Sequence, residues 1–219
     1  MVRHGMLGAF APTRNTMARY QPKDRFYRKA KEAGLRARSA FKLPEILEKI
    51  GTRGLAGGAL LELGAAPGGW LQVLARLAGP RGLVVGVDLV PIAPLGLAVK
   101  TLVGDVRQPA VLAELRGLAP HGFDLVTSDM APKTTGVADT DCARSLELVG
   151  AALSVARALL KGGGTFLAKV FMGPDLDPFV TRELQPAFEK IRRIRPEATR
   201  EGSREIYLAA TGYRPPTTR

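Results

Sequence analysis

Cysteine and histidine are almost absent from the sequence, and this excludes several kinds of chemistry. Cys142 is the single cysteine, and His4 and His121 are the two histidines among 219 residues. One cysteine cannot close an internal disulfide, and three such residues this far apart do not match the spacing of a metal site. We therefore expect a protein of a reducing compartment that uses no metal.

Long hydrophobic runs are missing as well. Hydrophobic residues make up 46% of the sequence, yet no run approaches the roughly 20 apolar residues that cross a bilayer. The sequence therefore predicts a soluble protein with no membrane segment. Residues 1–19 contain no acid and no periodic pattern, so they are compatible with a basic tail, an organelle-targeting extension, or sequence upstream of a true start at Met17.

Negative charge is scarce at both ends of the chain. Residues 1–42 contain 11 Lys or Arg and two acidic residues, and residues 190–219 contain eight Lys or Arg and three acidic residues. Residues 43–189, in contrast, contain 13 Lys or Arg and 15 acidic residues. The net charge of +12 is therefore concentrated at the two ends. Because Lys and Arg pair with phosphates and release counterions, this distribution favours a nucleic-acid partner. A solvated basic tail is the alternative.

Aromatic residues are interleaved with the basic residues near the N-terminus. Phe26, Tyr27 and Phe41 can stack on bases, although packing on the core is the commoner role of each ring alone. We assign nucleic-acid contact to the neighbouring basic side chains, which are Arg28, Lys29, Lys31, Arg36 and Arg38.

Short apolar runs alternate with amphipathic stretches from residue 59 onwards. The runs predict strands over Ala59–Leu63, Leu83–Asp88, Lys100–Val103, Phe123–Ser128, Thr165–Phe171, Ile191–Arg195 and Glu205–Ala210. Helices are predicted over Asp24–Ala37 and over the run AFKLPEILEKI, residues 40–50, with Ser39 as a possible N-cap. Further helices are predicted over Gly69–Ala78, Pro109–Leu118, Thr140–Leu160 and Pro178–Lys190, with glycine-rich stops at GPRG and KGGG. This alternation predicts an α/β fold whose parallel, doubly wound sheet binds ligands beyond the carboxyl ends of its strands.

The stretch LLELGAAPGGW, residues 60–70, predicts a strand that ends in a ligand-binding loop. Gly64, Gly68 and Gly69 allow a sharp turn and a close approach of the backbone to a ligand, and the next helix begins with free N–H groups. The spacing is G-x-A-x-x-G rather than the G-x-G-x-x-G of dinucleotide folds, which disfavours a nicotinamide cofactor. Taken alone, the loop is equally compatible with a tight structural turn.

Three aspartates follow apolar strands at what should be the same edge of the sheet. Asp88 ends the run LVVGVD at the position where an acid binds ribose hydroxyls, in NAD and in S-adenosylmethionine alike. Asp105, in LVGDVRQP, can accept a hydrogen bond from an adenine amino group, and Asp129 ends the next strand. Helix N-capping is the alternative role for Asp88 and Asp105. Three acids on three strand ends favour a nucleotide-containing ligand.

Lys169 lies inside the apolar run TFLAKVF. An unpaired ammonium group is costly in a strand that is buried on both faces. The lysine therefore either extends past the sheet edge to water or serves a function. A partly desolvated lysine near a second cation is a candidate general base.

These motifs resemble those of a known family. From about Tyr27 to Tyr213 the chain resembles the FtsJ/RrmJ-type RNA ribose 2′-O-methyltransferases, in the segments GLRARSAFKL, LELGAAPGGW, VDLVP, GDVR, SDMAP, GGTFLAKVF and SREIYLAATG. The resemblance implies the class I S-adenosylmethionine-dependent methyltransferase fold, which is Rossmann-like and has a seven-stranded, mostly parallel sheet with helices on both faces. It also implies S-adenosylmethionine as cofactor and RNA as partner.

The resemblance assigns roles to particular residues of this sequence. The family's catalytic Lys-Asp-Lys-Glu tetrad falls on Lys42, Asp129, Lys169 and Glu205. Cofactor binding is assigned to Gly68, Trp70, Asp88, Asp105 and Asp129, to which the turn analysis adds Gly64. Glu62 stands where many relatives have aspartate, a change that keeps the carboxylate.

The domain organisation and the substrate follow as expectations. Residues 1–22 are expected to form a flexible basic extension, residues 23–214 a single methyltransferase domain whose part 23–58 binds RNA, and residues 215–219 a tail. The expected substrate is a uridine of large-subunit ribosomal RNA, for a monomer in the cytoplasm, with an organelle as the alternative. The alternative functions are tRNA methylation, a non-catalytic role in ribosome assembly and, disfavoured by the loop spacing, a nicotinamide oxidoreductase.

Overall fold

The structure is a computed structural model that describes residues 25–51, 54–96 and 99–216. The predicted extension, residues 1–22, lies outside the described residues, as do residues 217–219 of the predicted tail. Within the described residues seven strands form one sheet: β1 Ala59–Leu63, β2 Leu83–Asp88, β3 Val99–Val103, β4 Phe123–Ser128, β5 Leu160–Phe171, β6 Phe188–Ile194 and β7 Glu205–Tyr213.

The order of the strands in the sheet is β3-β2-β1-β4-β5-β7-β6. Neighbouring strands from β3 to β5 are parallel, and β7 is antiparallel to both β5 and β6. The chain runs outward from β1 through β2 to β3, and then returns to place β4 on the other side of β1. This reversal opens a crevice at the carboxyl ends of β1 and β4, where α/β sheets bind their ligands.

Helices cover both faces of the sheet. They are α1 Arg25–Glu32, α2 Lys42–Ile50, α3 Gly69–Ala78, α4 Pro109–Leu118, α5 Ala138–Leu159 and the single turn α6 Leu176–Phe179. Leu60 of β1 packs in the hydrophobic cluster with α2 and α3, and the next residue, Leu61, packs in the cluster with α4 and α5. Successive strand side chains thus enter opposite cores, which explains the unbroken apolar runs and confirms the expected fold class. In the described part of the chain no helix is both long and apolar enough to cross a membrane.

The helix predicted over Pro178–Lys190 is wrong. The chain forms only α6 and a π-helical turn, Val180–Leu184, before β6 begins at Phe188. Pro186 explains the difference, because proline lacks the N–H that a helix interior needs and its ring clashes with the preceding turn. Strand β6, Phe188–Ile194, therefore begins three residues before the strand predicted over Ile191–Arg195.

Three smaller predictions also need correction. Helix α1 ends at Glu32 rather than Ala37, because Gly34 adopts a left-handed φ of 64°. Ser39 caps no helix and lies in a short 3-10 helix, Arg38–Phe41, ahead of α2. The glycines of KGGG lie within β5 instead of separating a helix from a strand, since the chain is already extended at Leu160.

Candidate active site

A cavity of about 310 Å³ opens at the carboxyl ends of β1, β2 and β4. Four of the residues predicted to bind the cofactor line this cavity, namely Gly64, Asp88, Asp105 and Asp129. Apolar residues complete its walls: Val87, Leu89, Val106, Met130 and Leu148. We call it the cofactor cavity.

Gly64 shapes the floor of the cofactor cavity. Its φ of 75° is left-handed, and a Cβ atom on it would lie 2.6 Å from Cγ of Met130. Its N–H and that of Ala65 both donate to the carbonyl of Val87, at 2.9 and 3.1 Å. Only glycine combines this turn with the close approach of the loop after β4.

Gly68 and Trp70, which were also predicted to bind the cofactor, lie outside the lining of the cavity. Gly68 precedes α3 with a φ of 102° and is covered by Ile92 and Leu95. Trp70 is buried, and its indole N–H donates to the carbonyl of Ser39 at 2.8 Å. Both residues thus pack against neighbouring loops, and their contact with the cofactor stays a prediction.

Asp88 and Asp105 are held at the rim by backbone and side-chain donors. The N–H groups of Ala66 and Val90 donate to the two oxygens of Asp88, at 2.8 and 3.1 Å. The guanidinium and N–H of Arg107 donate to Asp105, and these hydrogen bonds lower the pKa of that carboxyl to about 2. Asp105 is not a helix N-cap, since Gln108 precedes α4.

Glu62 is a buried carboxyl group beside the cofactor cavity. Its Oε2 atom finds no hydrogen-bond partner among the described residues. Burial raises the pKa of Glu62 well above its ordinary value, and the negative charges of Asp129 and Asp88 raise it further. The sequence indicated only that a carboxylate is retained at this position.

The composition of the cofactor cavity suits S-adenosylmethionine. The ligand carries a positive sulfonium, a positive ammonium, a ribose diol and an adenine ring. Three carboxylates at the rim face it in an otherwise basic protein, while the apolar walls can enclose the adenine. Asp88 retains acceptor capacity for hydroxyl groups beyond its two backbone bonds. Nowhere in the described ranges do three or more His, Cys, Asp or Glu residues form a group that could hold a metal ion.

The four predicted catalytic residues form two partly buried ion pairs next to this cavity. Nζ of Lys169 donates to Oδ1 of Asp129 at 2.9 Å and to the carbonyl of Asp129 at 2.5 Å. Nζ of Lys42 is paired with Oε1 of Glu205. The exposed fractions of these side chains are 10% and 17% for Lys169 and Asp129, and 9% and 15% for Lys42 and Glu205. Lys169 is thus paired inside the sheet and does not extend to bulk water.

Tyr207 connects the two pairs, and it is not among the residues predicted from the sequence. Its hydroxyl donates to Oδ1 of Asp129 at 2.8 Å, and its ring centroid lies 5.6 Å from Nζ of Lys42. Its ring stacks on Trp70, with the centroids 5.6 Å apart. Burial raises the pKa of Tyr207 well above its ordinary value, and Asp129 and Glu205 raise it further, so the hydroxyl stays protonated. The sequence feature that could have pointed to Tyr207 is its position two residues after Glu205, because residues two apart in a strand lie on the same face.

The predicted nucleic-acid-binding residues fall into two groups. Arg28, Lys29 and Lys31 are exposed on α1. The Arg36 guanidinium donates to three backbone carbonyls, those of Pro67, Ala93 and Pro94, at 3.3, 2.6 and 2.7 Å. Arg36 therefore ties the loop before α3 to the loop after β2.

Arg38 brings the two basic ends of the chain together. Its guanidinium donates to the carbonyl of Ala198, in the loop between β6 and β7. In the same region the N–H of Glu197 donates to the carboxylate of Glu45, at 2.9 Å to Oε2. The basic residues around α1 and those that precede β7 consequently share one side of the molecule, beside the two ion pairs.

Comparison with known proteins identifies the family. A family model described as FtsJ-like methyltransferase matches residues 35–213. A protein of Anaeromyxobacter dehalogenans is 56% identical over 196 residues, which are 89% of this chain and 73% of that protein. A protein of Myxococcus xanthus is 48% identical over 198 residues, 90% of this chain and 92% of that protein. Both are named ribosomal RNA large subunit methyltransferase E.

A solved structure has the same fold. It is described as a ribosomal RNA methyltransferase of Plasmodium falciparum, and it matches 81% of this chain and 98% of its own with a TM-score of 0.72 at 24% identity. The methyltransferase activity and the S-adenosylmethionine cofactor expected from the sequence motifs are those of the matching family. The chain belongs to the FtsJ-like methyltransferase family.

Proposed function

We propose that the chain transfers the methyl group of S-adenosylmethionine to a ribose 2′-hydroxyl of RNA, and that the target is a uridine of large-subunit ribosomal RNA. The relatives named as large-subunit methyltransferases support the substrate. One observation carries the site assignment: Asp129 lines the cofactor cavity and also holds Lys169. A hydroxyl next to Lys169 therefore lies beside the cavity that supplies the methyl group.

The reaction needs alignment and control of one proton. Bound S-adenosylmethionine supplies a sulfonium methyl group, which is already a good electrophile, whereas a ribose hydroxyl is a weak nucleophile near neutral pH. We assign to Lys169 the role of accepting or steering the hydroxyl proton. Asp129 fixes the Nζ position through two acceptors, its carboxylate and its carbonyl, and so orients Lys169 towards the hydroxyl.

Lys42 and Glu205 support this proton transfer from the other pair. Lys42 supplies positive charge for the RNA backbone, and Glu205 holds the Lys42 ammonium in position. Tyr207 joins the two pairs through its hydrogen bond to Asp129.

RNA binding is assigned to the basic side that Arg28, Lys29, Lys31 and Arg38 share with the loop before β7. The contact is expected to be electrostatic and therefore to weaken with salt. We further propose that residues 23–214 act as one domain, with the part 23–58 towards RNA, and that the enzyme works as a monomer in the cytoplasm, where ribosomes assemble.

Mapping of ribose methylation tests the function directly. Ribosomal and transfer RNA from cells with and without the gene are compared, and the gene is restored as wild type or as Lys169→Ala. We expect one large-subunit uridine to lose its methyl group without the gene and to regain it only with the wild type. Loss confined to tRNA overturns the proposed substrate. Unchanged methylation together with no calorimetric binding of S-adenosylmethionine supports the non-catalytic alternative instead.

A further inference from the structure

A second cavity of about 310 Å³ lies beyond the end of β5. Its walls come from three separate segments, and among the described residues it shares no lining residue with the cofactor cavity. Gly136, Asp141 and Cys142 lie in the loop after β4 and the start of α5, Phe171 ends β5, and Ser203 and Arg204 precede β7. Its volume falls in the range of small-ligand sites, roughly 300–1,000 Å³.

This cavity adjoins the catalytic residues. Phe171 pairs directly with Glu205 in the antiparallel ladder between β5 and β7, and Lys169 pairs with Tyr207. Phe171 follows Lys169 by two residues, which is a separation of about 7 Å along the strand. A ligand in this cavity therefore lies within about one nucleoside of the position assigned to the reacting hydroxyl.

The side chains of the cavity offer an aromatic surface and a cation. Phe171 is half-buried, and in the described structure it belongs to neither of the two hydrophobic clusters that form the cores. Arg204 is exposed, with Nη1 3.9 Å from Sγ of Cys142. Unstacked RNA bases are bound by stacking on aromatic rings and by hydrogen bonds along their edges, for which a guanidinium is a suitable donor.

The acid in the cavity wall is already engaged. Oδ1 of Asp141 accepts from the N–H and the hydroxyl of Thr135, at 2.7 and 2.9 Å, and Oδ2 accepts from the N–H of Gly136 at 3.3 Å. These hydrogen bonds lower the pKa of Asp141 below its ordinary value. The carboxylate thus holds the loop after β4 in place and leaves Arg204 to meet the ligand.

We propose that this cavity binds the base of the nucleotide that is methylated, with Phe171 stacking on the base and Arg204 donating to its carbonyl oxygens. The proposal rests on the proposed RNA 2′-O-methyltransferase function and adds the site that selects and extrudes the target nucleotide. A uracil suits it, because its two carbonyl oxygens are acceptors and its face can stack.

The test combines protein variants with altered RNA. Phe171→Leu, Phe171→Tyr and Arg204→Gln are assayed on a ribosomal RNA fragment that carries the target uridine, on the same fragment with an abasic ribose at that position, and on one with the abasic ribose at the next nucleotide. We expect Phe171→Leu to raise KM for the intact RNA about 10-fold and Phe171→Tyr to stay within about twofold of wild type. Affinity for S-adenosylmethionine should be unchanged.

The abasic substrates decide which base occupies the cavity. On RNA that already lacks the target base, Phe171→Leu should raise KM little further. On RNA that lacks only the neighbouring base, it should raise KM by the full factor seen with intact RNA. The proposal is overturned if the effect of Phe171→Leu on KM disappears when the neighbouring base is removed, or if it is unchanged by removal of either base. Arg204→Gln carries the same comparison if Phe171→Leu does not fold, and Arg116→Gln on α4 controls for lost positive charge. If no variant and no wild type methylates RNA, the proposed function itself has failed.

Discussion

One oxygen of Asp129, Oδ1, accepts hydrogen bonds from both Nζ of Lys169 and the hydroxyl of Tyr207, at 2.9 and 2.8 Å. The two donors come from neighbouring antiparallel strands and are paired in register. Asp129 is thereby fixed from two directions while it lines the cofactor cavity. We therefore propose that Tyr207 is a positioning residue, which acts on Lys169 through their shared acceptor, Asp129.

Replacement of Tyr207 by phenylalanine removes this hydroxyl and keeps the ring that stacks on Trp70. A hydrogen bond to a charged group contributes about 1.5–3 kcal/mol, so we expect kcat to fall about 10-fold or more. Because Lys42 and the stacked ring remain, KM for RNA should change less than kcat. The matched control is Tyr213→Phe, which removes a hydroxyl that donates to the carbonyl of Arg157, at 3.0 Å. Equal effects of the two changes on kcat would argue against a positioning role for Tyr207.

Replacement of Lys169 by alanine should abolish most of the methyl transfer. General acid–base groups contribute about 10²–10⁴-fold, and we expect the single-turnover rate to fall by about that factor. Affinity for S-adenosylmethionine, measured by calorimetry, should stay close to wild type because the cofactor cavity is lined by other residues. Lys161→Ala is the control, since Lys161 also lies on β5 and pairs with a carboxylate, that of Asp124, at 2.9 Å. A near-wild-type rate for Lys169→Ala would remove Lys169 from the proposed mechanism.

The strand ends were predictable because they follow from local patterns. Asp88, Asp105 and Asp129 each come after an apolar run, and parallel strands bring their carboxyl ends to one edge, so a common cavity could be expected. Pro186 carried an equally local signal against the wrong helix.

The links between distant segments were not predictable in this way. Arg36 donates to carbonyls 31 to 58 positions away, and Tyr207 donates to a residue 78 positions away. Such partners depend on how helices and loops pack across the sheet, and no sequence period encodes that packing. The same limit applies to Glu62, because neither its burial nor the lack of a hydrogen-bond partner for its Oε2 atom among the described residues can be read from a local pattern.

Replacement of Arg36 by glutamine should weaken cofactor binding more than RNA binding. Its three hydrogen bonds join the loop before α3 to the loop after β2, and both loops contribute residues to the lining of the cofactor cavity. Each hydrogen bond is expected to contribute about 0.5–1.5 kcal/mol. We expect a lower melting temperature and a raised Kd for S-adenosylmethionine. Lys31→Gln is the matched control, since Lys31 is exposed on α1 and should reduce RNA affinity and its salt dependence without affecting the cofactor. If Arg36→Gln instead weakened RNA binding and left the Kd for S-adenosylmethionine unchanged, Arg36 would be a contact for RNA.

Replacement of Glu62 by glutamine should change how stability depends on pH. The pKa of Glu62 is raised in the folded protein, so below its ordinary pKa of 4.5 the group is protonated in both states. As the pH rises above that value, the unfolded chain loses the proton first, and the wild type loses stability until the pH passes the folded pKa. Glutamine does not titrate. Urea unfolding between pH 5 and pH 8 should therefore show the free energy of unfolding of Glu62→Gln rising relative to wild type, by at most about 1.4 kcal/mol per pH unit. A constant difference between the two proteins across this range would show that Glu62 is ionised in the folded state.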